Sequence, residues 1–115
     1  VAVATNSAKY GISARSGYCQ AWVADVYQAV TGSRGSAHCA LCAADMWGVS
    51  SDWSKIPFGA AIYGYSSSKY GHVGIYIGNG MVAHNIGYIK IEPIEDWIKT
   101  YKGFAWGWEN NMSLV

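Results

Sequence analysis

The sequence predicts an α+β fold in which helices pack against an antiparallel sheet. The first half of the chain carries two segments of helical periodicity, and the second half carries short apolar runs separated by turn residues. Asn79-Gly80, between two of these runs, is the strongest short-range hairpin signal that a sequence offers. Helices followed by a meander of strands are typical of α+β proteins. We therefore expect N-terminal helices packed on one face of a central sheet of about five strands.

The length and composition favour a single domain over residues 1–115. Of the 115 residues, 51% are hydrophobic and 13% are charged, which argues against disorder. No apolar run reaches the roughly 20 residues of a membrane span. The net charge of +1, without any cluster of Lys and Arg, argues against a nucleic-acid partner. Because the chain begins at Val1 without an initiator Met, we expect an excised domain or a mature product.

The first helix is expected over residues 19–30 and opens at a cysteine. Apolar residues recur at helical spacing from Trp22 to Val30, and Ser16 is a candidate N-cap. Cys19 would then lie in the first turn, where unpaired backbone N–H groups and the helix dipole lower the pKa of a thiol. Two interpretations of Cys19 stay open at this point: a reactive thiolate, or a small buried core residue.

Turn residues divide the rest of the chain into a second helix, the strands and a C-terminal helix. The second helix should run from a cap at Ser36 to Trp47, since it is rich in helix-forming residues. The polar segment 48–53 should be a connection. The C-terminal helix should follow Pro93 and cover residues 94–101, with acidic residues at its start and lysines at its end. The strands are expected at residues 60–65, 72–77, 81–85, 87–91 and 104–108.

Two of the three histidines lie in the predicted hairpin. A cysteine nucleophile needs a base within hydrogen-bond reach and a third group to orient that base. His72 opens the central strand and His84 lies on its partner. A three-residue loop pairs Gly74 with His84 and puts both histidines on one face. A two-residue loop reverses the parity and puts Asn85 on the face of His72. Both registers stay open.

A family resemblance comes from residues 71–84, whose sequence is GHVGIYIGNGMVAH. This block resembles the signature of the NlpC/P60 cell-wall cysteine peptidases. The order along the chain also matches, because Cys19 opens a helix and residues 57–60 stand where the family turns into a strand. The resemblance covers residues 10–108. The chain departs from the family's Asp before the cysteine and its Ser-Gly after it, which bears on substrate preference; the departures are Tyr18, Gln20 and Ala21.

The resemblance implies a papain-like fold and a thiol protease. Cys19 would be the nucleophile, His72 the general base and acid, and His84 the residue that orients His72. Tyr10 and Gln20 would serve the oxyanion site and substrate binding. The implied substrates are peptidoglycan stem peptides, cut between D-glutamate and a diamino acid. The implied enzyme needs no cofactor or metal. It would be a secreted or cell-wall-associated monomer of bacterial or phage origin, such as an endolysin.

Three alternatives accompany this interpretation. The related CHAP family shares the cysteine and histidine but takes Asn or Glu as the third group, so Asn85 or Glu92 would replace His84. A transamidase would pass the acyl group to an amine instead of water. A wall-binding module on the same fold would carry an idle triad.

The remaining cysteines form a lone Cys-x-x-Cys pair, Cys39 and Cys42. Zinc requires four ligands, so a structural zinc site is not expected from this pair. Positions in the core or on a half-exposed helix are expected, with a redox pair as the alternative. Because three cysteines is an odd number, at least one thiol is free or pairs with another molecule.

Overall fold

The computed structural model describes residues 19–32, 40–65 and 71–108. Within these ranges the chain forms three α-helices and one six-stranded antiparallel sheet, which confirms the α+β class. None of the helices in the described part is long and apolar enough to cross a membrane. The helices are α1 (Cys19–Thr31), α2 (Ala40–Trp47) and α3 (Ile94–Tyr101). The strands are β1 (Gly48–Ser50), β2 (Ala61–Gly64), β3 (His72–Gly78), β4 (Met81–Asn85), β5 (Ile89–Pro93) and β6 (Ala105–Gly107).

The strands lie in the order β1-β6-β2-β3-β4-β5. The prediction that residues 48–53 form only a connection is wrong, because Gly48 pairs with Gly107 and makes β1 an edge strand. This pairing joins residues far apart in the sequence, so local turn character did not reveal it. A short 3₁₀ helix follows β1 at Trp53–Lys55. The sheet consequently has six strands rather than about five.

The three helices cover both faces of the sheet. On the face that we call the α1 face, side chains of α1 and α2 pack against Val73 and Ile75 of β3. On the opposite face, the α3 face, Trp97 of α3 packs with Ile62 of β2 and Val82 of β4. The N-terminal helices share one face as expected, but the prediction of helices on one face only is wrong for α3. Side chains alternate along a strand, so one strand can supply both cores.

The β3–β4 hairpin has the register in which both histidines share a face. Ile75 pairs with Ala83 and Tyr76 pairs with Val82, so Gly74 lies opposite His84. The strands are joined through residues 78–80, all with positive φ, and the register shifts at Gly78. Gly78 pairs with Met81, so the connection is the two-residue turn Asn79-Gly80, and the bulge between Tyr76 and Gly78 restores the parity that puts both histidines on one face.

The other predicted elements agree in type and differ at their ends. The second helix is described from Ala40, and its expected cap at Ser36 lies outside the described residues, as does the predicted lead-in 1–18. The strand predicted at residues 87–91 begins later, at Ile89. The delay has a local cause, since the side chain of Asn85 accepts a hydrogen bond from the Gly87 N–H and closes a turn.

Helix α1 is anchored to the sheet through its third turn. The Tyr27 hydroxyl donates a hydrogen bond of 2.5 Å to the carbonyl oxygen of Gly59. The Gly59 N–H in turn donates to the carbonyl of Tyr76, near the C-terminal end of β3. Tyr27 is buried, so this bond fixes where the middle of α1 lies along β3.

Candidate active site

The two histidines of the hairpin are in direct contact. Nε2 of His72 lies 2.8 Å from Nδ1 of His84, and the two rings are nearly perpendicular, at 81°. His72 is diagonal to His84 across the β3–β4 pair, a separation that long side chains can bridge. Gly74, directly opposite His84, leaves room for the imidazole, because a Cβ there would lie 3.2 Å from the Cβ of His84.

A glutamate on the next strand extends the contact. Nε2 of His84 lies 2.6 Å from Oε2 of Glu92, and this oxygen is also 3.5 Å from Nζ of Lys90. Glu92 pairs with Val82 across β4 and β5, so it shares the α3 face with His84. His72, His84 and Glu92 therefore form one hydrogen-bonded row across three adjacent strands, which we call the His–His–Glu row.

Aromatic residues of α3 cover the row. The ring of Tyr101 stacks on His72 with centroids 4.2 Å apart and planes 26° apart. Trp97 stacks on His72 at 6.0 Å and meets His84 edge-on at 6.4 Å. This approach requires Gly64, which is paired with His72, because a Cβ there would lie 2.6 Å from the carbonyl oxygen of Tyr101. The row is thereby removed from water, with His84 fully buried and His72 only 7% exposed.

Burial keeps both imidazoles neutral. Desolvation, and secondarily the proximity of His84, lowers the pKa of His72 to about 3. Desolvation also lowers the pKa of His84, although the hydrogen bond and the charge of Glu92 oppose that change. At neutral pH each ring thus carries one N–H donor and one unprotonated acceptor. A general base needs this unprotonated lone pair, but it also needs a pKa near the working pH, so the buried His72 ring is a weak base in this environment.

The other predicted site residues fall in different places. Cys19 is the first described residue of α1, but its side chain and all of Tyr10 lie outside the described residues. Gln20 is buried on α1. Asn85 is buried next to His84 in the chain and bonds to the Gly87 N–H. Because adjacent strand residues point to opposite faces, Asn85 does not share the face of His72.

Sequence reasoning missed the aromatic cover of the histidines. The helix predicted over residues 94–101 contains Trp97 and Tyr101, but the prediction gives neither of them a place beside the histidines. Their spacing of four residues puts both on one side of α3, and this signal could have linked them. Which face of the sheet they would cover was not visible in the sequence.

The second cysteine of the Cys-x-x-Cys segment does not lie in the core. Cys42 is exposed on α2 and is disulfide-bonded. A sulfur in a disulfide has no thiolate to offer to a metal. Across residues 19–32, 40–65 and 71–108, no group of three or more His, Cys, Asp or Glu residues is arranged to hold a metal ion.

Comparison with known proteins adds no assignment. The sequence matches no protein-family model. A search of curated proteins also finds no match.

Proposed function

We propose that the protein is a papain-like cysteine peptidase that hydrolyses peptidoglycan stem peptides. The observation that carries the proposal is the hydrogen bond between Nε2 of His72 and Nδ1 of His84, because it orients a neutral imidazole. A base held by a third group is the arrangement that cysteine nucleophiles need. The sequence contributes the rest: a cysteine at a helix start and the resemblance of residues 71–84 to NlpC/P60 peptidases.

The packing of α1 supports bringing Cys19 close to His72. Tyr27 is tied to the end of β3 near Tyr76, through Gly59. Counting back from Tyr27 to Cys19 covers about 12 Å along a helix, at 1.5 Å per residue. Counting back from Tyr76 to His72 covers about 13 Å along a strand, at 3.3 Å per residue. If α1 follows β3, both residues reach the same end of the sheet.

The ring of His72 lies on the α3 face, whereas α1 packs on the other face, so the proposed contact with Cys19 has to be made around the end of β3. His72 is the first residue of β3 and follows Gly71, which has a φ of +75°. With Nε2 committed to His84, Nδ1 of His72 is the nitrogen that would meet the Cys19 thiol.

The proposed reaction has two chemical steps. Nδ1 of His72 takes the proton of the Cys19 thiol, and the sulfur attacks the amide carbonyl to form a tetrahedral intermediate. The imidazolium then protonates the leaving amine as the C–N bond breaks, which leaves an acyl-enzyme. Water, deprotonated by the same imidazole, cleaves the thioester and restores the thiol. The Cys19 backbone N–H at the start of α1 would stabilise the oxyanion.

Among the three possible orienting groups, the geometry favours His84. Glu92 contacts His84 and not His72. Asn85 belongs to the opposite face, so the CHAP-like arrangement with Asn85 as third group is disfavoured. This point supports an NlpC/P60-like triad over the CHAP-like alternative.

The decisive experiment compares Cys19→Ala with Cys42→Ala on purified peptidoglycan. We expect Cys19→Ala to abolish the release of new amino groups while its circular dichroism spectrum is unchanged, and Cys42→Ala to keep turnover. Mass spectrometry of the muropeptides should show gain of one water at the cut bond. Unchanged turnover in Cys19→Ala would rule out the mechanism. An amine adduct would identify a transamidase, and wall binding without new amino groups an idle module.

Alkylation of the native protein gives a second test. The proposal requires Cys19 to be the free thiol, so the disulfide partner of Cys42 would be Cys39. Iodoacetamide followed by peptide mapping should label Cys19 and abolish activity. Label on Cys39 instead would contradict the proposal.

A further inference from the structure

We propose that Glu92 is a positioning residue that sets the tautomers of both histidines and thereby makes Nδ1 of His72 the basic nitrogen. The inference deepens the proposed function and rests on it for its catalytic meaning. It stands on the row His72–His84–Glu92, whose two contacts measure 2.8 Å and 2.6 Å.

Glu92 determines the direction of hydrogen-bond donation along the row. An ionised carboxylate has only acceptors, so Nε2 of His84 must be the donor to Oε2 of Glu92. Among the described residues, the Lys90 Nζ also contacts this carboxylate, at 3.5 Å. An ammonium group also has only donors, so it leaves the direction of the His84 bond unchanged.

The tautomer of His84 then determines which nitrogen of His72 is the donor. A neutral imidazole has one N–H, and the carboxylate of Glu92 stabilises the tautomer of His84 that carries its proton on Nε2. Nδ1 of His84 is left as an acceptor, so Nε2 of His72 must donate across the 2.8 Å contact. The proton of neutral His72 is thereby placed on Nε2, and its lone pair on Nδ1.

Without the carboxylate the row has no preferred direction. The reverse arrangement, in which His84 donates from Nδ1, would make Nε2 of His72 the acceptor and put the His72 proton on Nδ1. That tautomer cannot take a proton from a thiol at Nδ1. The ring contacts of Trp97 and Tyr101 with the histidines are made by ring faces and edges, and such contacts do not depend on which ring nitrogen carries the proton.

The proposal predicts the tautomers that NMR would detect. In protein labelled with ¹⁵N-histidine, long-range ¹H–¹⁵N correlations at pH 7 should show both rings as Nε2–H tautomers. Glu92→Gln preserves shape but can donate as well as accept, so the row should become a mixture of directions. Glu95→Gln, at an exposed position of α3, is the matched control and should leave the spectrum unchanged. An Nδ1–H tautomer at His72 in the native protein, or unchanged tautomers in Glu92→Gln, would overturn the proposal.

Kinetics provides the catalytic half of the test. Hydrogen-bond partners that orient metal-binding histidines contribute about 10- to 100-fold to affinity or activity, and we apply the same range to His84. We expect Glu92→Gln to lower kcat by about that factor with little change in KM, and Glu92→Asp to restore part of the loss. A thermal melt checks that each variant is folded. A native-like kcat in folded Glu92→Gln would overturn the positioning role.

The two proposals can fail separately. If native protein hydrolyses no stem peptide but its tautomers depend on Glu92, the proposed reaction is wrong and the tautomer assignment stands. If Cys19-dependent hydrolysis is found but the tautomers ignore Glu92, the positioning role is wrong and the peptidase stands.

Discussion

The two faces of β3 and β4 show how one pair of strands supports two kinds of core. On the α1 face, Val73, Ile75 and Ala83 pack among apolar residues of α1 and α2. On the α3 face, His72 and His84 occupy the alternate positions and are buried to a similar degree. Apolar burial is not directional. A buried polar row is stable only when each donor meets an acceptor, so its geometry must be specific.

The largest expected effect comes from breaking the polar face at its centre. Replacing His84 with Ala removes the partner of His72 Nε2 and the link to Glu92. Loss of the orienting member of a triad costs up to about 10⁴-fold in kcat. We expect a fall of about 10²–10⁴-fold in peptide hydrolysis, measured per folded molecule. A kcat within twofold of the native value would show that His84 has no part in catalysis.

A substitution on the apolar α1 face should lower stability and leave kcat unchanged. Ile75→Ala removes a buried side chain from the α1 core, and such changes cost about 2–5 kcal/mol. We expect a lower midpoint of urea unfolding, with kcat of the folded fraction unchanged. A selective loss of kcat without loss of stability would contradict the separation of the two faces.

The smallest effect, counted per pH unit, is a graded dependence of stability on pH. Burial holds the pKa of His72 at about 3, below the ordinary value of 6.5. Between these pH values the imidazole of His72 is protonated in the unfolded chain but not in the native protein, so the free energy of unfolding rises with pH. The slope for one proton is at most about 1.4 kcal/mol per pH unit.

Urea titrations from pH 7.5 down to pH 3.5 measure this slope. The native protein should lose stability progressively below about pH 6.5, and His72→Gln should show a shallower dependence. An equal slope in both proteins would mean that His72 is not the group responsible.

Much of the fold could be predicted because its signals are local. The helical periodicity from Trp22 onward predicted α1, and Asn79-Gly80 between apolar runs predicted the β3–β4 hairpin; both are confirmed. Pro93 marked the start of α3 correctly, with Ile94 as its first residue. Each of these signals depends on residues within about ten positions of one another.

The sequence predicted which histidines belong to the candidate site, but it did not predict how they are arranged. The hairpin brought His72 and His84 into view, but its loop allowed two registers with opposite faces, and a shift of one residue exchanges His84 for Asn85. Glu92 was considered only as a replacement for His84, whereas the structure makes it the partner of His84. The bulge between Tyr76 and Gly78 decides this parity, and the residues around Asn79-Gly80 suit several loop types.

Local chemistry along the chain thus determined which segments are helices and strands, and which residue types are available for acid–base work. The tertiary structure decided that β1 pairs with β6, that α3 covers the histidines, and that three polar side chains join into one row. The reason is physical. Backbone propensity acts between neighbours in the sequence, whereas the direction and burial of a hydrogen-bonded row depend on groups that only the folded sheet brings together.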